Sequence, residues 1–522
     1  MTTAPAAPLR HAIDPGRGTS GLPSLSVIVL TMLALALPIL LTPIPLLIDL
    51  PSHIARFHVE ETIAHNPALA ANFTYQWRFI PNLGIDLIVA PLAGLIGVEN
   101  AARIAVATIP ALGGLGMLLI GAALHGRLTA GALLALTLNY AYPLTFGFVN
   151  ACLAVSLALV VFGLWLHFGN MGRVRARLVL AAVSAPVILT AHIIGFGVLG
   201  LLAGGAAMAE RREDWRHPVR FTIGVVRPML PFAWPLAFLL LWQTGEAPPS
   251  SEWFAWAQIA RWLVGVLRDR WMPIDIASAL LLYAAVALAV ALAIIGRPRF
   301  VIEWRGAVPA AILWMAVILL PGRMFGSEFA SVRLIPVALS ISLLAVRERR
   351  GDARTLMAVA LGFLGLRLAL TTASLATASA QAERELAVLP MIPSGARVAA
   401  MSIVPCAREW APPRLSHIQS YATTRRDAFA NGQFSAVAGQ AMGLTSRIDP
   451  VLAELLSTGT VERCDRFFPS TPLHETLAGL PWRGVDYLWL IDAGDTAVPL
   501  PAGARLVWRS DRSRLYEIRP PR

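Results

Sequence analysis

The 522-residue chain is 56% hydrophobic and only 14% charged, with a mean hydropathy of +0.64, whereas soluble domains are roughly 25% charged. This composition excludes a soluble globular protein and places the chain among integral membrane proteins. The formal charge of +12 is carried by arginine alone, because lysine is absent, and its short clusters between apolar runs exclude a nucleic-acid stripe in favour of membrane topology.

Residues 1–24 form a polar, Pro/Gly-rich cytoplasmic tail, and the apolar run after it is longer than a signal-peptide core and lacks a small-residue cleavage site, so it reads as a retained first span. Spans are expected near 25–47, 82–97, 101–124, 129–143, 147–168, 178–191, 193–209, 221–242, 274–296, 306–320, 334–346 and 355–375. Four clusters mark cytoplasmic connections: Arg173, Arg175 and Arg177; Arg211, Arg212, Arg216 and Arg220; Arg297, Arg299 and Arg305; and Arg347, Arg349, Arg350 and Arg354. They place everything after residue 376 outside, which from a cytoplasmic N-terminus requires an odd number of crossings. The weakest span is 82–97, which contains Asp86 and Pro91. It is expected to lie shallow or re-entrant, leaving eleven crossings; one missed span would give thirteen.

The expected fold is thus a polytopic α-helical membrane protein of about 11–13 spans with a small C-terminal α/β extracytoplasmic domain. Residues 25–375 make the transmembrane domain, with a first outer loop at 48–81 and an outer amphipathic segment at 243–273; residues 376–522 make the outer domain. In that domain 396–404, 485–492, 504–510 and 514–520 read as strands and 449–457 as a helix. Cys406 and Cys464 either pair there or remain two thiols. His417, Tyr421 and Arg425, at helical spacing, read as a solvated face in preference to an acceptor site.

P-loop, HExxH, CxxC and GxSxG patterns are missing, so ATP hydrolysis and zinc proteolysis have no support. The glycines of "ALGGLGMLLIG" lie inside a span, where close helix packing is their ordinary use. The first loop, "LIDLPSHIARFHVEE", brings Asp49, His53, Arg56 and His58 to the membrane edge. Helical spacing would put Asp49, His53 and Arg56 near one face. Asp49 is then either a general base for an acceptor hydroxyl or simply the N-cap of a helix that Pro51 begins. Farther on, Arg261, Arg268 and Arg270 alternate with tryptophans in 251–272, an amphipathic stretch of headgroup type. Arg323, Glu328 and Arg333 share a second outer connection, and His192 sits at a turn between two apolar segments, either as a functional group or in helix packing.

The order "IDLPSHIARFHV", "IPNLGIDLI", "GVENAARIA" and "NYAYPLTFGFVNACLAV" resembles the GT-C superfamily of integral membrane glycosyltransferases, such as protein O-mannosyltransferases and lipid A aminoarabinose transferases. The resemblance covers residues 25–170 by motif and the rest by architecture. It implies that Asp49 stands where the family has its catalytic acid, that Pro81, Asn82 and Leu83 stand at its Pro-Pro-Leu-like element, and that Asn150 stands where many members have Asp. Leu50 departs from a frequent second acid, and the region of Arg78 to Pro81 replaces a common lysine. The implied function is transfer of a sugar from a polyprenyl-phosphate donor to an acceptor on the outer face of the inner (plasma) membrane. Asp49 would be catalytic, and His53, Arg56, His58, Arg78, Asn82, Asn150, His192, Arg261, Arg268, Arg270, Arg323, Glu328 and Arg333 are the substrate-binding candidates. The arginines would either clamp the lipid phosphate or snorkel. No cofactor or metal is expected, and the partners are the lipid-linked sugar, membrane lipids and an acceptor glycan, lipid or protein. The alternatives are a non-catalytic protein of the same fold that binds a lipid-linked glycan, favoured by Leu50 and Asn150, and last a transporter.

Overall fold

The computed structural model describes residues 21–241, 250–295, 299–324, 328–349, 351, 353–403, 410–434, 441–454 and 473–518; Cys406 and Cys464 lie outside them. Helix α1 (Leu25–Leu40) leads through a short loop into α2 (Leu50–Thr62), followed by α3 (Pro67–Ala70), strand β1 (Phe73–Tyr75) and α4 (Asp86–Ile96). Then come α5 (Val98–His125), α6 (Ala130–Leu136), α7 (Tyr142–Phe146), α8 (Val149–Asn170), α9 (Val174–Ala191), α10 (Ile193–Glu210) and α11 (Pro218–Ala233), which a 3₁₀ segment continues. The bundle closes with α12 (Trp256–Val264), α13 (Met272–Ile294), β2 (Phe300–Ile302), α14 (Trp304–Leu319), α15 (Ile335–Leu344), β3 (Val346–Glu348) and the long α16 (Ala353–Leu386).

Polar contacts divide the bundle into two ends. At one, Arg177 pairs with Glu210, Asn170 reaches the Ala123 carbonyl, His125 meets the Leu344 carbonyl, Arg127 pairs with Glu348, and β2 pairs with β3. The described arginines of the clusters that the sequence marks as one side meet here; Arg297 and Arg350 lie outside the described residues. At the other end Asp49 donates its backbone N–H to Phe146, Leu83 to Thr190, and the Trp410 indole reaches Asp275 at 2.9 Å. Helix α4 begins at this end, where Asp86 is held, and α5 starts there too, since Glu99 pairs with Arg425 of the C-terminal domain. Both ends of α4 therefore lie on the domain side: it runs along α2, Gly94 against Glu61, and does not traverse the bundle.

The segment 129–143, expected as one continuous span, is instead α6, a 3₁₀ turn over Thr137–Tyr140, and α7 beginning at Tyr142. Pro143 supplies the break, because a proline cannot donate to the helix and is tolerated only in a first turn. The composite still runs from the Glu348 end to the Asp49 end. Among the described residues, seven long apolar helices, the three shorter ones α1, α14 and Val332–Leu344, and this composite make eleven candidate crossings. Close packing at glycine joins the centre: a Cβ on Gly116 would stand 2.6 Å from the Leu159 Cβ, so α5 and α8 touch nearly backbone to backbone.

After α16 the chain enters a mixed α/β region: β4 (Arg397–Ser402), α17 (Ser420–Arg426), β5 (Phe429–Ala430), β6 (Met442–Leu444), α18 (Pro450–Glu454), α19 (Leu473–Ala478), β7 (Tyr487–Ile491), β8 (Arg505–Arg509) and β9 (Arg514–Glu517). Its sheet has the order β5-β4-β7-β9-β8, with β4 parallel to β5 and β7, and β9 antiparallel to its neighbours. The four expected strands are all present. A separate ribbon pairs β1 of the first loop with β6, so this region is stitched to the loop that carries Asp49.

Candidate functional site

Helix α2 lies between bundle and C-terminal domain because its faces suit two partners. Leu50, Ile54 and Phe57 belong to an apolar cluster shared with α4 and α5, while Val59 packs with Leu69, Phe73 and the domain sheet. Pro51 begins the helix, yet Asp49 at its N-cap position makes no side-chain capping bond. Its backbone is held instead: the N–H donates to Phe146, and Gly147, at φ +90°, packs so closely that a Cβ there would lie 2.8 Å from the Asp49 nitrogen. This leaves the carboxylate, 19% exposed, turned into the seam between the two bodies.

Two cationic or protonatable groups meet it there. His417, from the stretch before α17, places Nε2 3.7 Å from Asp49 Oδ1. Arg333, at the start of the α15 segment, lies with its guanidinium 3.7 Å from the Phe148 ring centroid and donates to the Glu328 carbonyl at 2.8 Å; the charge of Asp49 acts on it. Beside Arg333 an aromatic group assembles. Tyr142 stacks on Trp262 at 4.1 Å, and Phe146 meets Trp262 and Phe329 at 5.2 and 6.0 Å. A carboxylate, an arginine and an apolar wall thus converge at the domain end of the bundle; the arginine and the wall suit an anionic head on a hydrocarbon chain.

The other sequence candidates do different work. Arg56 does not share a site with Asp49. It is buried in an ion pair with Asp86, whose second oxygen accepts from Asn150 Nδ2 at 3.1 Å. Asn150 also accepts from the Ile85 N–H at 2.6 Å and donates to the Asn82 carbonyl at 2.7 Å, so its amide is committed to fixing the start of α4. Asn82 contributes through its backbone. His58 pairs with Asp427 at 2.8 Å across the loop–domain seam, and Arg78 is exposed beside Gln76. His192 caps α10, its Nδ1 accepting from the Ile194 N–H at 3.0 Å. His53, half-buried against Phe434, is pushed down to about 3 by burial and then by Arg56, which keeps it neutral.

Arg323 pairs with Glu328 at 2.9 Å, which makes both partners of each other, and Arg270 is exposed over Trp271. Arg261 is half-buried on α12. Arg268 is buried and donates to the Trp410 carbonyl at 2.5 Å. It borders a network in which Asp275 binds Arg367 at 2.8 Å and Asp269 binds Arg414 at 2.8 Å and Ser374 at 2.6 Å. Of the candidates, Asp49 and Arg333 lie beside the aromatic group, while His58 and His53 meet the C-terminal domain elsewhere along the seam.

Sequence reasoning missed His417: the expectation of a solvated face is corrected, since His417 and Tyr421 are buried and Arg425 pairs with Glu99 at 2.8 Å. The signal available was the "PPRLSHIQSY" stretch, where apolar and small residues flank the histidine on both sides. Asp86 was legible only as a flaw in a span. Among the described residues, no three His, Cys, Asp or Glu side chains are placed to hold a metal ion.

These features define a class: a polytopic helical membrane protein with a mixed α/β domain docked on one end of its bundle, over an acidic loop. Compared with family profiles and with curated proteins, the sequence matches none. Among solved structures it is similar to "Crystal Structure of ArnT from Cupriavidus metallidurans bound to Undecaprenyl phosphate", at 13% identity and a TM-score of 0.47, over 95% of this chain and 98% of that one.

Proposed function

We propose that the chain is a GT-C-type membrane glycosyltransferase that moves a sugar from a polyprenyl-phosphate donor to an acceptor at the domain end of the bundle. The observation that carries this reading is that Asp49, bonded through its N–H to Phe146, and Arg333, over the Phe148 ring, flank the aromatic group of Tyr142, Phe146, Trp262 and Phe329. Support comes also from the order of loop motifs in the first 170 residues.

In this reading Asp49 takes the proton of the acceptor hydroxyl as its oxygen bonds to the sugar's anomeric carbon. The bond from that carbon to the phosphate oxygen breaks, and its electron pair leaves with the polyprenyl phosphate. Arg333 faces the developing phosphate charge with a planar, permanently charged group. The aromatic side chains hold the first isoprene units. One base and one displacement predict inversion at the anomeric carbon. Leu50, 1% exposed in the core between α2 and the bundle, explains the missing second acid: a carboxylate there would be buried in hydrocarbon and could not face the seam. The arginine-rich end would face the cytoplasm and the domain the outer side.

Lipid extraction of the purified chain followed by mass spectrometry tests the reading. Polyprenyl phosphate is expected to co-purify with the wild type and to be depleted in Arg333→Ala. Equal polyprenyl phosphate in both, or none in either, would contradict the placement of the lipid head.

A further inference from the structure

The hydrogen bonds of His417 decide which of its nitrogens carries a proton. Nδ1 lies 3.0 Å from the Gly432 carbonyl and 2.9 Å from Ser52 Oγ. A carbonyl can only accept, so Nδ1 is the protonated nitrogen. Ser52 supports this assignment, since its own hydroxyl donates to the same carbonyl at 2.9 Å and it lies 3.1 Å from Ser420. Ser52 is fully buried and so placed as a prop for the ring.

With its proton on Nδ1, a neutral imidazole presents Nε2 as an acceptor. That lone pair faces Asp49 Oδ1, itself an acceptor, at 3.7 Å. Two acceptors at this separation attract only when a proton resides on one of them. We propose that Asp49 and His417 act as one proton-accepting pair, in which the C-terminal domain supplies the second half of the base and the acceptor hydroxyl approaches Asp49 beside the ring. This rests on the glycosyltransferase reading only for the identity of that hydroxyl.

The consequence is a division of labour. Asp49 first accepts the hydroxyl proton, as the acceptor oxygen bonds to the anomeric carbon and the phosphate departs. His417 Nε2 then shares that proton, and Nδ1–H stays on Gly432 throughout. The imidazolium beside a carboxylate keeps the proton from returning before the products separate, and water removes it afterwards. His417 is thus the second proton acceptor of the pair, reached through Asp49.

Among the described residues, the charged and titratable groups around the ring come from α2, α17, the stretch before it and the bundle. From α2 the facing groups are Asp49, neutral His53 and, one turn beyond, Arg56, which is committed to Asp86. From α17, Arg425 is paired with Glu99, Arg426 donates to the Ile392 carbonyl, and Asp427 is paired with His58. Arg414, just before His417, is held by Asp269, and residues 431–434 carry no charge. From the bundle, Arg333 acts on Asp49.

Histidine-selective labelling and NMR of the full chain in lipid nanodiscs tests the pair without any sugar donor. His417→Gln identifies the resonance by its loss. In the wild type the His417 ring is expected to titrate about one pH unit or more above its value in Asp49→Asn, because a neighbouring carboxylate favours the charged ring. The same midpoint in both would overturn the pair. If Asp49→Asn alters the other histidine resonances, Asp49→Ser provides the same comparison. Failure of the glycosyltransferase reading leaves this titration unaffected, so the two are separable. Where transfer is measured, the acid limb of the kcat/KM profile is expected to move to lower pH in His417→Gln, since Asp49 alone must then be ionised; an unmoved limb would also overturn the proposal.

Discussion

Asp49 draws its position from Gly147 as much as from its own neighbours. The φ of +90° at Gly147 and the 2.8 Å approach of a virtual Cβ to the Asp49 nitrogen leave no room for a side chain. An alanine at such a φ costs about 1–2 kcal/mol in backbone strain. Gly126, which ends α5 at φ +68° near the arginine-rich end, carries the same kind of strain far from the seam. Gly147→Ala is therefore expected to lower sugar transfer by tenfold or more, while Gly126→Ala costs thermal stability alone; equal transfer in the two variants would show that Asp49 is not positioned from Gly147. At this scale the sequence was half legible. Asp49 stood out because a carboxylate at a span end is costly and therefore conspicuous. His417 did not, because its partners lie some 365 residues away in the chain, and no periodicity records a contact of that kind.

At the scale of elements, α4 is governed by polar bonds at its first turn. Asp86 makes an ion pair with Arg56 and a bond with Asn150, all three buried. Removing one partner of a buried pair leaves the other charge uncompensated, at a cost of about 3–5 kcal/mol, whereas removing both with apolar residues of similar volume is often nearly neutral. Arg56→Met is expected to lower the unfolding midpoint sharply, and Arg56→Met with Asp86→Leu to recover most of that loss. Thermal denaturation in detergent checks this, and additive losses would mean that the two side chains do not act as a pair. The pair also explains why hydropathy misleads here. Residues 82–97 are apolar enough to suggest a span, but the first turn is tied to α2 and α8, and the helix lies along α2 instead of crossing. Residues 129–143 fail in the opposite sense: they do cross, but Pro143 and the 3₁₀ turn prevent a single helix.

At the scale of the molecule, the C-terminal domain is part of the seam and not a separate appendage. The β1–β6 ribbon, the His58–Asp427 and Glu99–Arg425 pairs and the buried Asp269–Arg414 pair hold it to the first loop and the bundle. The helical class and the strands of the domain were legible, because hydropathy and alternation are local properties of sequence. The docking of domain on loop was not, because it depends on side chains from distant segments meeting across a surface. Within this arrangement the account depends most on Asp49. The direct measurement is release of polyprenyl phosphate, with water taking the sugar, from a panel of polyprenyl-phosphate hexoses, pentoses and aminosugars by the purified full chain in nanodiscs, wild type against Asp49→Asn. The wild type is expected to release it and Asp49→Asn to do so about 10²-fold or more slowly with its fold intact; release at the wild-type rate by Asp49→Asn would contradict the account.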